Sequence, residues 1–149
     1  MRILVYWTCL LALVAYALLR GGRPEKAAAL VLLGGSAMTW AMASPLGQRF
    51  TGVETGVLLV DLAVLAGFTA IALRSDRNWP LWLTALQLIG TLAHAARLAD
   101  LGLPPVAYGI VMAMWSYPMM LTIALGVRGR QRMRATASAD SSSPSSSQR

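Results

Sequence analysis

Apolar residues along this chain fall into five long runs separated by short polar breaks. The runs cover residues 3–19, 27–44, 53–73, 79–98 and 106–126. Each is near the ~20 mainly apolar residues that a helix, rising about 1.5 Å per residue, needs to cross a hydrocarbon core of ~30 Å. The breaks have the chemistry of turns. Arg20-Gly21-Gly22-Arg23-Pro24-Glu25-Lys26 sets charges and a proline where a second helix would begin. Ser44-Pro45-Leu46-Gly47-Gln48-Arg49 closes the second run, and Asp100-Leu101-Gly102-Leu103-Pro104-Pro105 closes the fourth. Arg74-Ser75-Asp76-Arg77-Asn78 reads as a tight interfacial loop. Breaks this short force neighbouring helices to run antiparallel. The pattern predicts an all-α integral membrane protein, an up-down bundle of five transmembrane helices over residues 1–126. No internal repeat is visible, which counts against an inverted-repeat transporter within one chain.

After Gly126 the pattern stops. Arg128, Arg130, Arg132 and Arg134 alternate with small or polar residues and lead into a serine-rich end. Such a stretch buries too little apolar area to offset its ordering entropy, so residues 127–149 are expected to form a disordered cytoplasmic tail. Beside an anionic leaflet those four arginines could each contribute about 1 kcal/mol of lipid attraction.

Composition sharpens the class. Of 149 residues, 56% are hydrophobic and only 13% charged, against about 25% charged in soluble domains. A soluble globular enzyme and a wholly disordered chain are both excluded. The net charge of +7 sits mostly in the tail and loop ends, which argues against a nucleic-acid partner. Cys9 is the single cysteine, so the chain has neither an internal disulfide nor a thiolate metal cluster. Arginine replaces lysine everywhere except Lys26, a codon bias that points to a GC-rich bacterium and so to a bacterial inner membrane.

Arginine and lysine also set the orientation. Arg20, Arg23, Lys26, Arg74, Arg77 and the tail arginines fall on one side; Arg2, Arg49 and Arg97 fall on the other. The N-terminus is therefore expected in the periplasm and the C-terminus in the cytoplasm, with Trp79 and Trp82 at one interface and Tyr6 and Trp7 at the other. A competing reading makes the first run a signal peptide, with Ala15-Tyr16-Ala17 as a small-x-small cleavage site. Against it, Arg20, Arg23 and Lys26 would then be translocated immediately.

Ionisable residues inside a membrane span are costly and mark candidate sites. Asp61 lies about 12 Å into the third run and His94 about 9 Å into the fourth from the same side, at about 1.5 Å per residue. Arg97 is one turn shallower. Glu54 shares a face with Asp61, and Gln87 and Thr91 share one with His94. These residues predict a polar cluster in the outer third of the bundle. It serves either to fix helix register or as a proton or ligand site.

The fifth run adds a bulky stripe of Tyr108, Met112, Trp115 and Met119, with Tyr117 beside it and Pro118 expected to kink the helix. The stripe reads as packing or, functionally, as an apolar-walled pocket beside His94 suited to a quinone, lipid or pigment tail. In the second run Gly34, Ala37, Ala41 and Ser44 form a small-residue face fit for close helix approach. Haem is disfavoured because one histidine cannot supply two axial ligands in one chain, and zinc has no ligand spacing to support it.

No nucleophile, phosphate loop or metalloprotease signature is present. The leading expectation is a non-catalytic interaction or accessory subunit of a larger membrane complex, partnered by lipid and by other subunits or copies of itself, with no cofactor. The alternative is an oligomeric transporter or channel subunit that uses Asp61 and His94 for protons or a small solute. A quinone-, pigment- or haem-binding membrane protein comes third.

Overall fold

The computed structural model describes residues 2–42, 53–98 and 105–141. They form five helices and no strand: α1 (Arg2–Arg20), α2 (Arg23–Met42), α3 (Val53–Leu73), α4 (Trp79–Leu98) and α5 (Pro105–Ser141). Successive helices pack on one another, and α5 returns to close against α1 and α2.

Two of the turns show how local chemistry fixes this path. The α1–α2 turn is two glycines long. The Gly21 amide donates to the Ala17 carbonyl at 2.8 Å, closing α1. Gly22 is the N-cap of α2: its carbonyl accepts the first helical bond from Lys26, at 3.0 Å, and its amide donates to Glu25 Oε2 at 2.8 Å. A glutamate three residues into a helix reaching back to the cap amide is the glutamate half of a capping box, glycine having no side chain to complete it. Asn78 begins α4, accepting from the Leu81 amide at 3.2 Å.

The core is densest from the middle of the bundle to its Glu25 end. Leu10 and Ala17 of α1, Ala28 and Ala29 of α2, Phe68 of α3, Leu83 of α4, and Ile123 and Val127 of α5 are all fully buried. The first helix is thus part of the core. Outward faces are equally apolar: Leu4, Leu11 and Leu19, then Leu30 and Trp40, Leu59 and Leu62, Leu88 and Leu92, Leu121 and Leu125 are exposed. Among the described residues, two stretches are long and apolar enough to cross a membrane, Ile3–Arg20 and Gly56–Leu73. Only 22% and 17% of their residues are buried.

Two expectations change. The fifth helix does not end at Gly126, because the described tail continues as helix to Ser141. Residues 127–141 hold four arginines and three alanines with Gln131 and Met133, all good helix formers. Three of their side chains also reach the bundle: Arg130 toward Glu25, Gln131 toward the Tyr16 hydroxyl and Met133 toward Arg77. The small-residue face is displaced by one position. Gly34, Ala37 and Ala41 point outward and are exposed, with nothing near a Cβ placed on Gly34. The close approach is at Gly35, where an added Cβ would collide with a methyl of Val64 on α3.

Candidate functional site

Antiparallel packing brings the first halves of α1, α3 and α5 together with the second halves of α2 and α4. Between them lies a cleft of about 640 Å³. Its polar floor comes from α3 and α4. His94 Nε2 lies 2.9 Å from Asp61 Oδ2. The Gln87 amide nitrogen donates to Asp61 Oδ1 at 3.3 Å and to the Asp61 backbone carbonyl at 3.4 Å. One helix turn on, the Thr91 hydroxyl donates back to the Gln87 carbonyl at 2.9 Å, which holds this stretch of α4 in register. Gln87 and Thr91 are buried. Asp61 and His94 keep 19% and 14% of their side chains exposed, enough to face the cleft.

The walls are aromatic. Tyr6 and Trp7 of α1, Trp40 of α2, and Trp115 and Tyr117 of α5 line the cleft with Met119. Tyr6 anchors the set: its hydroxyl is 2.6 Å from Ser36 Oγ, and its ring meets Trp7 and Tyr117 edge-on, centroids 5.9 and 6.3 Å away. Edge-to-face contacts of this kind add to apolar burial and fix ring orientation. Trp115 donates through Nε1 to the Leu86 carbonyl, tying α5 to α4. Ile3, Val5 and Trp40 line the cleft while largely exposed, so its mouth is apolar.

Of the residues singled out by sequence, the structure brings together Asp61, Gln87 and His94, with Thr91 behind them, and sets Trp115, Tyr117 and Met119 in the same cleft. The side chains of Glu54, Arg97, Tyr108 and Met112, and Ser44 itself, lie outside the described residues. Tyr6 and Trp7, read from sequence as an interfacial belt, line the site instead, and Ser36 joins through Tyr6. Their signal was available in the turn-by-turn match of α1 and α2 depths. His94 Nε2 is engaged by Asp61, so axial ligation of a haem through that nitrogen would require the pair to open. Among the described residues, no three His, Cys, Asp or Glu side chains converge on a possible metal position.

A second polar centre stands at the opposite end of the bundle. Glu25 is fully buried. Arg77 Nη1, from the α3–α4 loop, lies 2.7 Å from Glu25 Oε1, and Arg130 Nη1 of α5 lies 3.9 Å from Oε2. One carboxylate thus caps α2, holds a loop and receives the extended end of α5. The nearby Trp79 ring packs on Gly126, where an added Cβ would lie 2.9 Å from ring atoms. No protein-family model, curated protein or solved structure matches the chain.

Proposed function

We propose that this chain is a five-span protein of a bacterial inner membrane, and that its cleft binds an amphipathic small molecule, without chemistry of its own. In this reading the N-terminus is periplasmic, the cleft lies in the outer half of the bilayer, and the Glu25 end meets the cytoplasm. Outward leucines on every helix support membrane burial, since a soluble bundle would place them against other elements. One observation carries the ligand reading: the cleft joins an apolar mouth and aromatic walls to a single polar floor. That combination is how small-molecule sites are built, apolar for affinity with a few polar groups for orientation.

The accessory-subunit role is kept within this proposal. The outward small-residue stripe Gly34–Ala37–Ala41 is unused inside the chain, and such stripes let a second membrane helix approach closely. Transport is the second reading, favoured by the Asp61–His94 pair facing the cleft. Acid–base residues placed this way can exchange protons with a solute.

The test is purification in mild detergent followed by native mass spectrometry. The expected result is a bound small molecule that is lost when Thr39, which lines the cleft from α2, is changed to phenylalanine to fill it. A chain that carries nothing, and whose spectrum is indifferent to that substitution, would sink the ligand reading. Orientation is tested separately. A cytoplasm-dependent reporter fused after Arg149 should be active, and one inserted at Gly47 should be silent.

A further inference from the structure

The polar groups of the cleft specify the head of the molecule it would hold. We infer that the head is a hydrogen-bond-donating cation, an alkyl- or arylammonium; this rests on the cleft being a ligand site. The orientation of Gln87 is forced. Its amide group reaches two Asp61 atoms, the backbone carbonyl and Oδ1. Both are acceptors, so the nitrogen must face them and Oε1 must point elsewhere. Among the described residues Oε1 accepts no hydrogen bond, and Gln87 lines the cleft. An acceptor left open to the cleft is available to an entering N–H.

Asp61 points the same way. Its carboxylate accepts from His94 and Gln87, which fills two of its roughly four lone-pair positions. The remainder face a cleft whose described lining contains no lysine or arginine. Tyr6, Trp7, Trp40, Trp115 and Tyr117 line the same cleft as that carboxylate, and aromatic rings attract ammonium groups. An anionic head would meet Asp61 and the Gln87 oxygen, both repulsive. A purely accepting head, such as a quinone carbonyl, would leave Oε1 unsatisfied.

Three probes with one tail isolate the head: an ω-bromododecyl chain ending in ammonium, hydroxyl or carboxylate. Bromine quenches tryptophan, and three of the five tryptophans line the cleft. With the full chain in dodecyl maltoside micelles, the ammonium probe should quench saturably at a concentration about tenfold below the alcohol. The carboxylate should not saturate. Asp61→Asn should remove most of that preference and leave the alcohol nearly unchanged. Gln87→Met, which keeps the volume and deletes both the Oε1 acceptor and the amide donor to Asp61, is a second variant and should weaken ammonium binding severalfold. If ammonium and alcohol saturate alike and neither variant matters, the cation inference is wrong while the ligand site stands. If all three quench without saturation and Thr39→Phe changes nothing, both fail.

Discussion

The molecule has two polar centres of opposite character. At one end Asp61 and His94 meet across two adjacent helices, mostly shielded, on the floor of an open cleft. At the other end Glu25 is sealed, and its partners come from a loop and from a helix 105 positions further along the chain. The first centre leaves acceptor capacity facing a void. The second ties three segments together around one carboxylate. Unspent hydrogen-bonding capacity beside empty volume is what a binding site needs, and one buried carboxylate shared by three chain segments is what a structural joint needs. The assignment of roles rests on that difference.

The largest expected effect tests the joint. Glu25→Ala removes the cap of α2 and leaves two guanidinium groups without their carboxylate. Breaking a buried pair this way costs about 3–5 kcal/mol. Thermal unfolding in detergent should show a large fall in midpoint. Glu25→Gln should lose less, because an amide can still cap Gly22. A Glu25→Ala chain as stable as the parent would show that the joint is not structural.

The matching change at the cleft should be smaller. Asp61→Leu strands His94 and Gln87 at a partly exposed site, with an expected cost of ~2–4 kcal/mol, below that of a fully buried pair. Asp61→Asn should be tolerated better, since its Oδ1 still accepts from Gln87 and its NH2 can donate to His94 Nε2 in the tautomer that leaves that nitrogen unprotonated. Adding His94→Leu to Asp61→Leu should recover part of the loss, and a double-mutant cycle measures how much. Additive costs would mean the 2.9 Å contact carries no coupling.

How visible each centre was in the sequence follows from the same contrast. Asp61, Gln87 and His94 sit on regular helices, where depth is residue count and direction is 100° per residue, about as the helix repeat requires. Their meeting could be worked out before any coordinates. Glu25, Arg77 and Arg130 occupy a turn, a loop and a stretch read as disordered, where no periodicity fixes direction. Each looks like an ordinary solvated charge, and only the packed turn reveals that Glu25 is fully buried. The close approach within the chain falls one residue from the small-residue face for a finer reason. Gly34 and Gly35 are adjacent, so an error of one residue turns the face by about 100°, and the pattern of small residues alone fits either choice.

Those two glycines give the third test. Gly35→Ala drives a methyl into Val64, and overpacking between α2 and α3 should cost about 1–3 kcal/mol. Gly34→Ala meets open space and should be neutral, or stabilising by up to about 1 kcal/mol through helix propensity. Should Gly34→Ala instead break up a larger assembly while leaving the monomer folded, the outward stripe would be the contact to a neighbouring subunit.

The smallest effect separates arginines that sequence treats alike. Arg130 turns inward to Glu25, whereas Arg128, Arg132 and Arg134 are exposed along the same helix. Arg130→Gln should therefore lower stability by roughly 1 kcal/mol, the cost of one charge-assisted contact at a partly exposed position. Arg128→Gln should stay within about 0.5 kcal/mol, as surface changes usually do. Binding to anionic vesicles should reverse the order. Neutralising Arg128, Arg132 and Arg134 removes the charges free to face lipid headgroups, and the loss should shrink as salt screens the attraction. Truncation gives the same division: ending the chain after Arg134 keeps Arg130 in place and should leave stability unchanged, whereas ending it after Val127 removes Arg130 and should lower stability at least as much as Arg130→Gln does. If Arg130→Gln weakened vesicle binding as much as Arg128→Gln and left stability untouched, the inward contact would be dispensable, and Glu25 would hold only the α3–α4 loop.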